Sequence, residues 1–292
     1  MWVPWLVVLS CVAAAPSDSF DGEKALAHVR RLVELGPRPV GSEAHQKMQQ
    51  YLLESLSATG LATSREDFTG ETPGGPIPMS NLMAVHRGDP ERLIIIAGHY
   101  DTKRFDRFIF VGANDGGSSA GVILELARVV SSQDPRPSST VWFVLLDGEE
   151  AMGRWSASDS LYGSRHLASR LGREGKLGKV RAFLLVDLVG DRDLGILREG
   201  YSTRWLQDMV WSEAARLGYG RHFLSRGYPV EDDHIPFVRQ GVPAVDLIDF
   251  EYGPQNRFWH SPEDTLDKLS AQSLKVIGDT LLAVLARLDE RP

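Results

Sequence analysis

Four nearly continuous apolar runs constrain this chain more than any other feature: RLIIIAG (92–98), TVWFVLL (140–146), RAFLLV (181–186) and PAVDLI (243–248). Each falls far short of the about 20 apolar residues needed to cross a bilayer. Each is also apolar at consecutive rather than alternate positions. Such runs are strands buried on both faces, the habit of parallel sheets covered by helices. The segments between them supply the covers. DGEKALAHVRRLVELG (21–36) reads as an amphipathic helix, with Asp21 as N-cap and Leu26, Val29, Leu32 and Val33 on one face. GPRPVGS breaks it, and Ser42 caps a second helix running to Gly60. Further helices are read over 118–132, 160–173, 203–218, around 232–241 and from about Ser270 to Leu288. NLMAVHRG (81–88) reads as one more strand, and ETPGGPIPMS (71–80), dense in Gly and Pro, as a loop. Strands alternating with helices, without internal repeats, predict one α/β domain: a mixed, mostly parallel central sheet flanked by helices on both faces.

Charge and the N-terminus bound the setting. The net charge is −7, with acids scattered among bases. Nucleic acid is therefore excluded as a partner, because binding it needs a basic stripe that displaces counterions from phosphates. MWVPWLVVLSCVAAAPSDS is apolar and then small and polar, which predicts an export signal or lipoprotein-type leader over 1–19 and a catalytic domain over 20–292. The chain's one cysteine, Cys11, lies in the context VLSC, similar to a lipoprotein processing site. With no second cysteine there is no intrachain disulfide. The expected location is outside the cytoplasm: secreted, periplasmic or lipid-anchored. No transmembrane helix is expected beyond the leader.

In open α/β sheets the ligand site lies outside the carboxyl ends of the strands. There the sequence places His99 and Asp101 after the first run, Glu149 and Glu150 after the second and Asp187 closing the third. NDGG brings Asp115 to a helix start, EDDH brings Asp232, Asp233 and His234, and FWHSPEDT brings His260. An edge rich in carboxylate and imidazole and free of thiolate suits Zn2+ in a catalytic site, where a position stays open for substrate. Neighbours in extended chain point opposite ways, so one glutamate of the pair can hold metal while the other faces substrate as a base.

Each of these residues also has an ordinary explanation. A Glu pair opening a helix favours the dipole, Asn-Asp-Gly is turn chemistry, Asp232 or Asp233 can cap a helix, and His99 can be a satisfied buried histidine. Only Asp187, a carboxylate ending an apolar strand, is costly without a partner. Their joint placement at strand ends carries the functional reading. GSSAG (117–121) matches the nucleophile-elbow pattern at Ser119, but no strand immediately precedes it. A serine hydrolase is thereby set aside. A zinc-binding relative without catalysis is a further alternative.

GHYDTK, NDGGSSAGVILELAR, LLDGEEAMGRWSASDSLYGSRHLA, LVDLVG, EDDHIPFVRQGVPA and WHSPEDTLDKL together resemble the glutaminyl-peptide cyclotransferases, which share the zinc aminopeptidase fold. The resemblance spans nearly the whole chain from about Asp21, and WSASDSLYGSRHLA, DDHIPF and Trp259-His260 are its most selective parts. It implies a zinc-dependent enzyme that converts N-terminal glutamine of peptides or proteins to pyroglutamate with release of ammonia. It implies a metal site of Asp115, Glu150 and His260, and Glu149 as general acid/base. Asp187 and Asp232 would form a hydrogen-bond network beside that base; whether Asp233 takes the place of Asp232 stays open. Trp155 and Trp259 would line the substrate pocket. In the aminopeptidase relatives His99 and Asp187 hold a second zinc that shares Asp115, so one metal or two stays open, and a zinc aminopeptidase is the runner-up. Gly98 and Gly121 stand where the animal secreted enzymes carry a disulfide, and IDFEYGPQNRFWH departs from the family's usual Pro-rich loop. The oligomeric state is not legible.

Overall fold

The computed structural model describes residues 19–290; the leader and Cys11 lie outside the described residues, apart from Ser19. In chain order the elements are α1 (Gly22–Glu34), α2 (Glu43–Ser57), β1 (Ala62–Thr72), β2 (Gly75–His86), β3 (Asp89–His99), α3 (Gly117–Ser132) and β4 (Ser139–Leu146). There follow α4 (Tyr162–Arg173), β5 (Val180–Asp187), α5 (Arg204–Arg216), α6 (Ile235–Val238), β6 (Ala244–Ile248) and α7 (Ala271–Asp289). The two expected caps are in place, Asp21 accepting from the Glu23 and Lys24 amides and Ser42 from His45, and the structure adds Ser270, which caps α7 by accepting from Gln272. Each satisfies a backbone donor that the helix itself leaves free.

The six strands form one sheet in the order β1-β2-β4-β3-β5-β6, with β4, β3, β5 and β6 parallel and β1 and β2 antiparallel. The predicted α/β class and mixed sheet are thus observed. Side-chain alternation explains why the runs are continuously apolar. In β3, Ile94 and Ile96 face a core shared with α1, α2, α3, α5 and α7, while Leu93, Ile95 and Ala97 face a second core under α4 and α6. Burying each Ile or Leu stabilises the fold by about 1.5–3 kcal/mol. α1 lies hard against α3 because Gly121 has no side chain: a Cβ there would sit 2.6 Å from the Ala25 carbonyl oxygen. Gly98 is as tightly enclosed, 2.7 Å from Ser119 Cβ and from the Val186 carbonyl oxygen.

The segment 71–80 is not a loop, contrary to expectation. β1 and β2 pair from Ala62↔Val85 to Thr72↔Gly75, so ETPGGPIPMS contains the hairpin turn and half of a strand. Two features hid it. β1 is an edge strand whose residues are mostly polar and exposed, and Pro76 and Pro78 look like strand breakers. They are tolerated because β4 pairs with β2 only from Leu82 to His86; the proline amide positions face no partner strand. The hairpin consequently projects past the carboxyl end of β4. Asp147, just beyond β4 and fully buried, ties this corner together. It accepts hydrogen bonds from the Ser80 amide at 2.7 Å and Gln49 Nε2 at 3.0 Å, and lies 2.8 Å from His45 Nε2.

Chain direction places the crevice. α3 covers one face on the way from β3 to β4, whereas α4 covers the other on the way back across β3 to β5. The carboxyl end of β3 is therefore a switch point, where departing loops separate and leave a cleft.

Candidate active site

Around that cleft the structure gathers most of the expected residues. Asp115 sits in the turn before α3, which the left-handed Gly116 (φ 75°) allows. Its amide and that of Asn114 donate to Asp264, at 3.1 and 2.8 Å. Glu150 is held from behind by Asp101, a fully buried acid whose oxygens accept from the amides of Glu149 (3.1 Å) and Glu150 (3.4 Å). His260 has φ 50°, unusual for a side-chain-bearing residue, and this backbone turns its ring inward. Phe105 and Phe110 meet the ring edge-on and Trp259 stacks on it at 4.1 Å. His260 Nε2 lies 2.9 Å from Glu150 Oε1 and 3.3 Å from Asp115 Oδ2.

Two triads emerge, Asp115–Glu150–His260 and His99–Asp115–Asp187, each with ligand atoms within 4.8 Å of one another. They share Asp115. His99 Nε2 lies 3.3 Å from Asp115 Oδ1 and 3.2 Å from Asp187 Oδ1. The first triad fits a divalent cation. Its donors are two carboxylates and an imidazole, and Asp115 Oδ2 is buried without a hydrogen bond. Its electrostatics agree: burial disfavours a charged His260 ring, yet Glu150 and Asp115 hold its pKa up at about 10. The same field suits a metal ion. His260 and His99 in turn hold Asp115 well below the usual carboxylate range despite its burial.

Glu149 lines the same cavity, beside but outside the first triad. Burial, against the pull of His99, raises its pKa well above the ordinary value, helped by the charges of Glu150, Asp232 and Asp233. Asp232 is pushed up to about 7 by burial and by Asp187. The adjacent acids diverge. Asp232 lines the cavity, while Asp233 lies behind it and accepts the Ser164 hydroxyl at 2.5 Å. Trp155 and Trp259, about two-fifths exposed, form walls of a cavity of about 500 Å³, with Tyr228 and Phe250 completing its apolar lip.

Several participants escaped sequence reasoning. Asp101 stood at a strand end without a role, and Asp264 in SPEDT carried no signal. Lys103 closes one side of the cavity, its ammonium donating to the Ala151 carbonyl at 3.1 Å and reaching Glu150 Oε2 at 3.4 Å. Arg38, in the stretch read only as a helix breaker, is fully buried. Its guanidinium donates to the carbonyls of Leu32, Gly36, Val111 and Gly112, bracing the turn that leads to Asp115. Burial lowers its pKa to about 10, against the opposing charges of Asp264, Asp101 and Asp115.

The parallel sheet, its switch point and the paired triads define a class, and similarity to known proteins agrees with it. Residues 81–285 match peptidase family M28. The glutaminyl-peptide cyclotransferase of Boiga irregularis is 33% identical, over 86% of this chain and 76% of that one. The solved structure of the Acidobacteriales bacterium glutaminyl cyclase is 38% identical with a TM-score of 0.90, covering 97% of this chain and 99% of that one. A leucine aminopeptidase precursor from Bacteroides thetaiotaomicron is 26% identical with a TM-score of 0.84, covering 93% and 99%. The chain belongs to the glutaminyl-peptide cyclotransferases of peptidase family M28.

Proposed function

We infer that the chain is a glutaminyl-peptide cyclotransferase, an enzyme that closes the N-terminal glutamine of peptides or proteins into pyroglutamate and releases ammonia. One observation carries the reading beyond family membership: Glu149, a buried carboxylate of raised pKa, shares a Trp-walled cavity with the Asp115–Glu150–His260 triad. Those three residues would hold one Zn2+, which when bound supplies a positive charge that polarises the side-chain amide carbonyl. The chain's own groups do the rest. Trp155 and Trp259 flank the uncharged glutamine side chain and exclude water, so that the amine rather than a water molecule attacks. Glu149 takes a proton from the α-ammonium group. The freed amine bonds to the side-chain carbonyl carbon, Glu149 gives its proton to the amide nitrogen, and the carbon–nitrogen bond breaks to free ammonia, while the second proton of the ring nitrogen passes back to Glu149 and leaves with the ammonia as ammonium. A raised pKa brings Glu149 nearer the working pH for both transfers. Asp232 and Asp233 help sustain that raised value by their charge, Asp233 while accepting the Ser164 hydroxyl, and Asp187 acts one step removed by raising Asp232.

Ammonia release from a glutaminyl peptide, with metal analysis of the same sample, tests this. A second reading rests on the completeness of the His99–Asp115–Asp187 triad. With two zinc ions the same site would serve an aminopeptidase, and release of free amino acids from ordinary peptides, without ammonia, would favour it. Export remains part of the proposal, through a leader over 1–19; an unprocessed N-terminus on protein recovered from the cytoplasm alone would count against it. Among the described residues no helix is long and apolar enough to cross a membrane.

A further inference from the structure

The catalytic cavity does not end at its aromatic lip. It shares Glu150 and Gly153 with a cavity of about 330 Å³, which shares Val40, Ile77 and Arg104 with another of about 760 Å³, larger than the catalytic cavity itself. The three adjoin one another along the carboxyl edge, from the base to the space between α2 and the projecting β1–β2 hairpin. We propose that this groove receives the downstream residues of an extended peptide substrate, with Arg104 at its junction binding an acidic side chain.

Three features suit a peptide. First, the floor offers backbone acceptors. Ser80 turns its amide away from β1 to Asp147, and its carbonyl accepts from Tyr100. Pro76 and Pro78 have the same parity in the strand, so their carbonyls face the groove, where β4 no longer pairs. Having no N–H, they can accept from a peptide yet cannot complete a ladder, which restrains strand-to-strand aggregation. Second, the α2 wall presents Gln46, whose exposed carboxamide has no partner among the described residues and can both donate and accept. Third, the cations differ in commitment. Lys103 is engaged by Glu150 and Ala151, and Arg65 by Asp67. Arg104 is exposed and makes no ion pair or hydrogen bond among the described residues, although it borders both outer cavities. The catalytic end is lined instead by six carboxylates, against Lys103 and His260. An acid directly after the glutamine is repelled there, whereas one farther along reaches Arg104.

The inference rests on the cyclotransferase reading for the direction of the peptide. The test uses the full-length zinc-loaded enzyme and amidated peptides of roughly seven residues, Gln followed by alanines, with a single Glu moved along the chain, beside the dipeptide amide Gln-Ala. The expected kcat/KM is below that of the neutral peptide with Glu in second place and about three- to tenfold above it at one position from the third onward, through KM. The gain shrinks in high salt. In Arg104→Ala the ratio of acidic to neutral peptide falls to about one, and in Arg104→Glu it drops below one. Fluorescence anisotropy of the labelled acidic pyroglutamyl peptide gives a readout free of turnover, with tighter binding expected to wild type than to Arg104→Ala. Equal kcat/KM at every Glu position, with anisotropy indifferent to Arg104, overturns the groove and leaves the cyclotransferase reading standing if Gln-Ala still yields ammonia. Arg104-dependent binding without ammonia from any peptide supports the groove and sinks the cyclotransferase reading.

Discussion

Asp264→Asn separates a structural acid from one that sets the metal site. Asp264 is fully buried and accepts three hydrogen bonds: Oδ1 from the Asn114 amide at 2.8 Å and the Tyr252 hydroxyl at 2.8 Å, Oδ2 from the Asp115 amide at 3.1 Å. It thereby joins the loop carrying His260 to the turn carrying Asp115. Alanine would strand all three donors at about 1–3 kcal/mol each, comparable with the whole stability of about 5–15 kcal/mol, and would report only misfolding. Asparagine keeps the volume and one acceptor. Its NH2 then confronts an amide, best at Oδ2, so one bond is lost and roughly 1–3 kcal/mol with it. Because the lost bond is the one that fixes the Asp115 peptide, zinc affinity should fall about 10–100-fold, as when the partner of a metal ligand is removed. Urea denaturation followed by tryptophan fluorescence reads the first quantity. Competition with a chromophoric zinc chelator reads the second. A variant that loses stability by the expected amount yet binds zinc as tightly as wild type would refute the positioning role.

Glu149→Gln should retain zinc and fold while ammonia release falls about 100- to 10,000-fold, measured on matched metal-loaded samples; residual activity within tenfold of wild type would remove Glu149 as the base. Gly121→Ala should lower the urea midpoint by an amount equivalent to about 1–3 kcal/mol, since its Cβ meets the Ala25 carbonyl oxygen at 2.6 Å and Val29 Cγ2 at 2.8 Å. Burial pushes the Asp249 carboxyl up to about 7 from 3.8. The folded state therefore holds this proton more tightly than the unfolded one, and the contribution, full below the unfolded value, is lost as pH rises through about 7. Wild type should lose more stability between pH 5 and pH 8 than Asp249→Asn does in parallel urea titrations; equal losses would place the titrating group elsewhere.

The parts legible in the sequence were those encoded locally. Continuous apolar runs marked the four parallel strands, chemistry-bearing residues at their ends marked His99, Glu150, Asp187 and the base candidate Glu149, and the NDGG turn at a helix start marked Asp115. β1 was not legible, because an exposed edge strand such as ATSREDFTGET needs no apolar pattern, and Pro76 and Pro78 disguised its partner. Asp264 and Asp101 could not be read, since their importance lies in contacts to residues distant in sequence: Asp264 meets the Asp115 amide 149 positions away. Nor could sequence separate Asp232 from Asp233, neighbours whose difference is only the direction each side chain faces in the folded chain.

The central claim is that Asp115, Glu150 and His260 together hold a divalent cation beside Glu149. Zinc content measured on purified wild type and His260→Ala, with ammonia release followed through chelation and zinc restoration, tests it most directly. The expected result is about one zinc per wild-type chain in a three-residue site, activity that disappears with the metal and returns with it, and a variant that cannot be reloaded under the same conditions. Ammonia release that survives thorough metal removal, or a His260→Ala variant that binds zinc as wild type does, contradicts it.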